Sequence, residues 1–231
     1  MLQVQDVVAL VPMRHHSERV PGKNYRPLAG RPLYTYILET LLAVPEIRLV
    51  VVDTDSPVIR EGVHARYPQV LVLERPPHLR DGRIPMNEVL RHDVQQVPAA
   101  FYLQTHSTNP LLRPETVRRA LQTFFAHWPE YDSLFGVTRW QTRLWTADGK
   151  PINHDPDVLL RTQDLPPVYE ENSTLYIFDR DGFLRRGNRL GKRPLLFEVP
   201  REEAIDIDEE VDFRMAECLM QWRQRQAGRA L

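Results

Sequence analysis

Apolar and polar positions come in blocks along this chain, and the period of each block predicts its element. Val7–Val11 and Arg48–Val52 are near-continuous apolar runs, the mark of strands buried on both faces. Between them Leu33, Ile37 and Leu41 recur every four residues, which predicts a helix over Pro32–Leu42 with its proline in the first turn. Asp55 or Ser56 caps a further helix opened by Pro57. Strands follow at Val70–Glu74, Ala100–Gln104, Ser133–Val137 and Thr174–Phe178, with helices over Met86–Gln96, Pro114–Trp128 and Glu209–Gln226. This alternation predicts an α/β fold with a doubly wound, mostly parallel sheet. Regularity fails between residues 138 and 168, which hold Trp140, Trp145 and an Asp148-Gly149 pair suited to a tight turn. Surface tryptophans are costly unless covered, so the stretch reads as an arm that packs on something, or as a long surface loop.

Composition narrows the function classes. The 231 residues fit one domain over 1–231 with a substantial core. A net charge of −1 offers no basic field for nucleic acid or an anionic membrane, so any anionic ligand needs a local cluster of Arg and Lys. Cys218 is the single cysteine; it excludes an internal disulfide and a Cys-rich zinc site, and its apolar helical setting predicts a core position. No leader and no run of 18 apolar residues is seen, so a cytoplasmic location is expected. The histidines lack H-x-x-x-H and H-E-x-x-H spacing and there is no G-x-S-x-G elbow, which argues against zinc and serine hydrolases.

Two segments carry candidate chemistry. The first strand empties into a polar loop closed by Pro21-Gly22-Lys23, the arrangement by which α/β proteins place N–H groups and a lysine around phosphates. It is neither a Walker loop nor a dinucleotide fingerprint. Arg14, Ser17, Lys23 and Asn24 project from the carboxyl end of that strand, where such sheets bind ligands; a solvated basic loop is the alternative. The second segment is Ile205-Asp206-Ile207-Asp208. On extended backbone both carboxylates face one side, and such like charges are tolerable with a hard divalent cation, Mg2+ or Mn2+, between them and a phosphate. Asp208, with Glu209, Glu210 and Asp212, also suits the positive end of the last helix, and the two readings are compatible. Asp53-Thr54-Asp55 has a D-x-D pattern, with Asp55 better explained as a helix cap.

Val11-Pro12-Met13-Arg14-His15-His16-Ser17, Pro21-Gly22-Lys23-Asn24, and then Leu28, Gly30, Pro32 and Leu33 resemble the signature of the CMP-sialic acid synthetases (acylneuraminate cytidylyltransferases) and their CMP-octulosonate relatives. His15-His16 stand where that family carries glycines. The resemblance implies a nucleotide-diphospho-sugar transferase-like fold. The implied reaction transfers CMP from CTP to the anomeric hydroxyl of a 2-keto-3-deoxy sugar acid, with release of pyrophosphate. Met13, Arg14, Ser17, Lys23, Asn24, Arg75 and Arg80 then bind the nucleotide, and Arg14, Lys23 and Asp208 carry catalysis. Asp206 and Asp208 hold the metal, and Gln104, Arg161, Gln163, Asn172 and Phe197 meet the sugar. His106 falls in a loop three residues longer than the family's and reads as a polar loop residue. The resemblance also implies a homodimer, with residues 138–168 as a dimerisation arm. A metal-dependent glycosyltransferase and a catalytically silent nucleotide- or sugar-binding protein are the alternative functions.

Overall fold

The computed structural model describes residues 6–229. The first strand, β1 (Val7–Met13), is buried at every position. A short hairpin of β2 (Pro27–Leu28) and β3 (Arg31–Pro32) leads into α1 (Leu33–Leu42), then β4 (Ile47–Thr54) and α2 (Pro57–Arg66). Next come β5 (Leu71–Glu74), α3 (Met86–Gln96), β6 (Phe101–Thr105) and α4 (Pro114–His127). The chain closes with β7 (Ser133–Trp140), β8 (Val168–Asp179), α5 (Arg180–Arg186), β9 (Pro194–Glu198) and α6 (Glu210–Arg229).

Seven strands form one sheet in the order β5-β4-β1-β6-β8-β7-β9. The pairs β1·β4, β1·β6, β4·β5 and β7·β9 are parallel, while β8 runs antiparallel to both β6 and β7. The doubly wound, mostly parallel sheet is therefore as expected. The chain steps outward from β1 to β4 and β5, then returns to the other side of β1 with β6. Ligands of open α/β sheets bind at such a reversal, beyond the carboxyl ends of the strands. Alternate residues of β1 feed opposite cores: Val7, Ala9 and Val11 pack in one cluster, Val8 and Leu10 in the other.

Ser56, not Asp55, caps α2, its Oγ accepting from the amide of Ile59 at 3.3 Å. Asp55 instead accepts from the His15 amide at 2.7 Å. Phe213, Ala216 and Met220 give α6 its buried face, and Cys218 lies on the exposed side, contrary to its expected core position. The predicted irregular stretch begins later than expected, because β7 continues to Trp140 by pairing with Val168. Trp140 needs no further cover: its N–H donates to Glu170 at 2.6 Å and the Arg201 guanidinium lies 4.2 Å over its ring. Trp145 is half exposed, bridged to Pro151 around the turn at Gly149, whose φ is +80°. No helix among the described residues is long and apolar enough to cross a membrane.

Candidate active site

A cavity of about 540 Å3 opens at the carboxyl end of β1, and the basic loop forms one side of it. Gly22 has φ +64°, and a Cβ there would come 2.9 Å from the Tyr25 ring, so the turn that aims Lys23 requires glycine. His15 does not crowd the cavity. Its ring stacks on Tyr25 at 5.2 Å and meets Ser56 Oγ through Nδ1 at 2.8 Å, which points it toward the start of α2. His16 remains on the cavity wall.

Lys23 Nζ donates to the carbonyl of Ile207 and lies 3.8 Å from Asp208 Oδ1. Burial lowers its pKa, opposed by the carboxylates of Asp208 and Asp206. Asn24 binds Arg14 O through Nδ2 at 2.7 Å and accepts from Ser107 Oγ at 2.7 Å. It faces the cavity as a brace between two loops, with both ends of its amide engaged. Arg14 lies across Gly82, where a Cβ would collide with its Nη1. Arg19 pairs with Asp208 at 2.6 Å. Asp206 is partly buried, desolvation raises its pKa, and its sealed Oδ1 has no hydrogen-bond partner among the described residues. An orphaned, desolvated oxygen beside a second carboxylate is a donor set that fits a hard cation.

The nucleotide-side expectations therefore converge: Arg14, Ser17, Lys23, Asn24, Arg75, Asp206 and Asp208 all line this cavity. Met13 does not; its side chain is sealed in the core. Arg80 is turned away, donating to Arg75 O at 2.8 Å and to Glu74 at 3.3 Å.

None of the expected sugar contacts lines the cavity. Gln104 is fully buried; its amide binds Thr105 O and His106 Nε2, and its Oε1 accepts from Arg189 at 2.5 Å. Asn172 is buried against Thr138 and Thr174. Phe197 belongs to the core under β9, with Arg119 5.2 Å from its ring. Arg161 is paired with Asp164 on the exposed arm, and Gln163 is exposed there too. The wall is built instead by His106, Ser107, Thr108 and Ser173. Gln104 donates to His106 Nε2, so that nitrogen carries no proton, and burial with the nearby Arg189 and Lys23 charges pushes the ring's pKa down to about 3. His106 is thus a neutral Nδ1–H tautomer. Its one signal in the sequence was its place two residues beyond a strand-end glutamine. Ser173 has φ +57°, in the left-handed region that favours glycine.

The chain belongs to the cytidylyltransferase family, whose profile matches residues 8–222. It is 27% identical over 230 residues to the CMP-N,N'-diacetyllegionaminic acid synthase of Legionella pneumophila, covering 94% of this chain and 97% of that one. It is 25% identical over 225 residues to N-acylneuraminate cytidylyltransferase A of Danio rerio, covering 91% of this chain and half of that protein's length. A solved CMP:2-keto-3-deoxy-manno-octonic acid synthetase complexed with CTP superimposes with a TM-score of 0.69 at 18% identity, covering 95% of this chain and all of that chain. That likeness establishes the fold.

Proposed function

We propose that this member of the cytidylyltransferase family joins CMP from CTP to the anomeric hydroxyl of a sialic-acid-like 2-keto-3-deoxy sugar acid. The acceptor oxygen forms a bond to the α-phosphorus, the bond from that phosphorus to the bridging oxygen breaks, pyrophosphate leaves, and the hydroxyl proton passes to water. The observation that carries this reading is the convergence of Arg14 and Lys23 with Asp206 and Asp208 on one cavity at the carboxyl end of β1. Phosphoryl transfer of this kind asks chiefly for alignment and charge neutralisation. Arg14 and Lys23 supply fixed positive charge to the triphosphate. Asn24 holds the loop that carries Arg14 against the loop after β6, which keeps the two walls in register. Arg75 donates to the pyrimidine, as arginine can to the O2 of cytosine.

Asp206 and Asp208 would hold Mg2+ or Mn2+, which when bound neutralises phosphate charge. The acceptor enters on the side of His106, Thr108 and Ser173, where neutral donors suit a polyhydroxylated sugar. Two chains pair through residues 138–168, where Trp145, Ile152, Val158 and Leu159 are exposed apolar side chains in need of cover. A cytoplasmic location fits the supply of CTP.

The test is a pyrophosphate-release screen of CTP, UTP, GTP and ATP against octulosonic and nonulosonic acids. Turnover with CTP and a nonulosonic acid is expected. CTP binding by calorimetry without turnover on any sugar acid would point to a silent binding protein instead.

A further inference from the structure

Two carboxylates of this chain are sealed inside the protein around one fully buried cation, with the half-buried His92 at the edge of the cluster. Asp53, near the end of β4, and Asp93, on α3, are each 1% exposed, and Arg75, just past β5, is 2% exposed. Arg75 Nε donates to Asp53 Oδ1, and its Nη2 reaches the Asp53 carbonyl at 3.4 Å. Asp53 Oδ2 and both oxygens of Asp93 are buried, and among the described residues no N–H or hydroxyl donor meets them. Ligand atoms of Asp53, Asp93 and His92 nevertheless lie within 4.8 Å of one another.

Charge decides what joins them. Beside an uncharged His92, two ionised carboxylates against one guanidinium leave a net negative charge in a dry site, at a cost of several kcal/mol. One proton between them brings the sum to zero and supplies the donor that Asp53 Oδ2 lacks. A divalent cation on the same atoms would leave net positive charge beside Arg75. Burial raises the pKa of both carboxyls, and the charge of Asp53 raises Asp93 further.

The arrangement has a consequence for the cavity. Arginine–carboxylate pairs are frequently bidentate forks. This one uses Nε alone on the carboxylate, and Nη1 has no hydrogen-bond partner among the described residues, on a side chain that lines the cavity. We propose that Asp93 donates a proton to Asp53 Oδ2, so that this oxygen does not draw Nη2 off the Asp53 carbonyl, and the guanidinium is held in the orientation that leaves Nη1 to read the nucleotide base. Asp93 is then a positioning residue for nucleotide selection. This rests on the base contact assigned to Arg75 above.

Infrared difference spectra of the whole chain at neutral pH test the proton directly. A protonated-carboxyl C=O stretch, shifted in deuterated water, is expected in the wild type and lost in Asp93→Asn. The Asn amide keeps the donor, so the KM for CTP should stay within about twofold. Asp93→Leu removes the donor and lets the freed Oδ2 take Nη2 from the Asp53 carbonyl, which turns the guanidinium and moves Nη1. Its KM for CTP should rise about tenfold, with kcat and the acceptor KM within about twofold. If the Leu variant does not fold, the band and the Asn variant decide. Absence of an Asp93-dependent band, a bound metal that Asp93→Asn releases, or equal KM losses in both variants would overturn the proposal. An intact band with an unchanged CTP KM in Arg75→Met would instead refute the base contact and leave the shared proton standing.

Discussion

Lys23 Nζ donates to the carbonyl oxygen of Ile207, a residue 184 positions away and the one between Asp206 and Asp208. The cationic loop and the acidic pair are therefore one mechanical unit. Ile207 itself is fixed, its amide donating to Thr108 O at 3.0 Å and its side chain buried with Leu28 and Phe213. A lysine so anchored presents a point charge with little freedom to lose on binding phosphate.

Lys23→Ala should therefore weaken CTP binding by about tenfold or more and leave acceptor binding within about twofold. Calorimetric titration of each ligand measures the difference. Equal losses for both would show that the loop does not meet the triphosphate.

Asp206 is partly buried and its Oδ1 is sealed without a partner among the described residues, a cost to the fold that is offset when something binds. Asp206→Asn should raise the thermal stability of the metal-stripped chain by about 1 kcal/mol while lowering turnover at least about a hundredfold. Asp208→Asn should lose similar activity without the stability gain, because Asp208 is half exposed and already paired with Arg19. Full activity of either variant, or of the wild type in EDTA, would remove the metal assignment.

His106 titrates near 3 in the folded chain and near 6.5 when unfolded. The unfolded state thus binds the extra proton between those values. Stability from this group is complete above about pH 6.5 and falls by roughly 1 kcal/mol per unit as the pH drops toward 3. His106→Gln should flatten that part of the urea stability curve. An unchanged slope would mean that the ring is not held neutral.

Ser173 sits at φ +57° in β8, beside the cavity. Ser173→Gly should stabilise the chain by about 1 kcal/mol, read as a higher urea midpoint at unchanged slope. A loss of stability would show that the hydroxyl contributes more than the strain costs.

The exposed arm carries Leu159, 88% exposed, close in sequence to Val158 and Leu160. Leu159→Asp and Trp145→Asp should weaken self-association at least about tenfold and lower activity with it. Sedimentation of the wild type as a monomer at micromolar concentration, with full turnover, would sink the dimer.

Local pattern alone determined the sheet's class, the order of its elements apart from the β2–β3 hairpin, α5 and β9, and the cationic side of the cavity. α3 begins and ends where its periodicity places it, at Met86 and Gln96. The loop after β1 is contiguous, and its Pro-Gly-Lys turn encodes its own geometry, so Arg14, Ser17, Lys23 and Asn24 meet in space much as they do in sequence. Strand ends were less legible, because they are set by the neighbour: β7 runs on to Trp140 only because Val168 is there to pair with it.

Only the tertiary structure decided the cavity wall made by His106, Ser107, Thr108 and Ser173. It is assembled from the loop after β6 and a distorted point of β8, and which side chains reach it depends on strand register, where one residue reverses a face. That is why Phe197 turns into the core while Leu196 is exposed, and why Gln104 is consumed by Arg189 and His106. The Asp53–Arg75–Asp93 cluster was hidden for the same reason. Its members come from β4, the end of β5 and α3, and no spacing in the chain announces that they will be buried together.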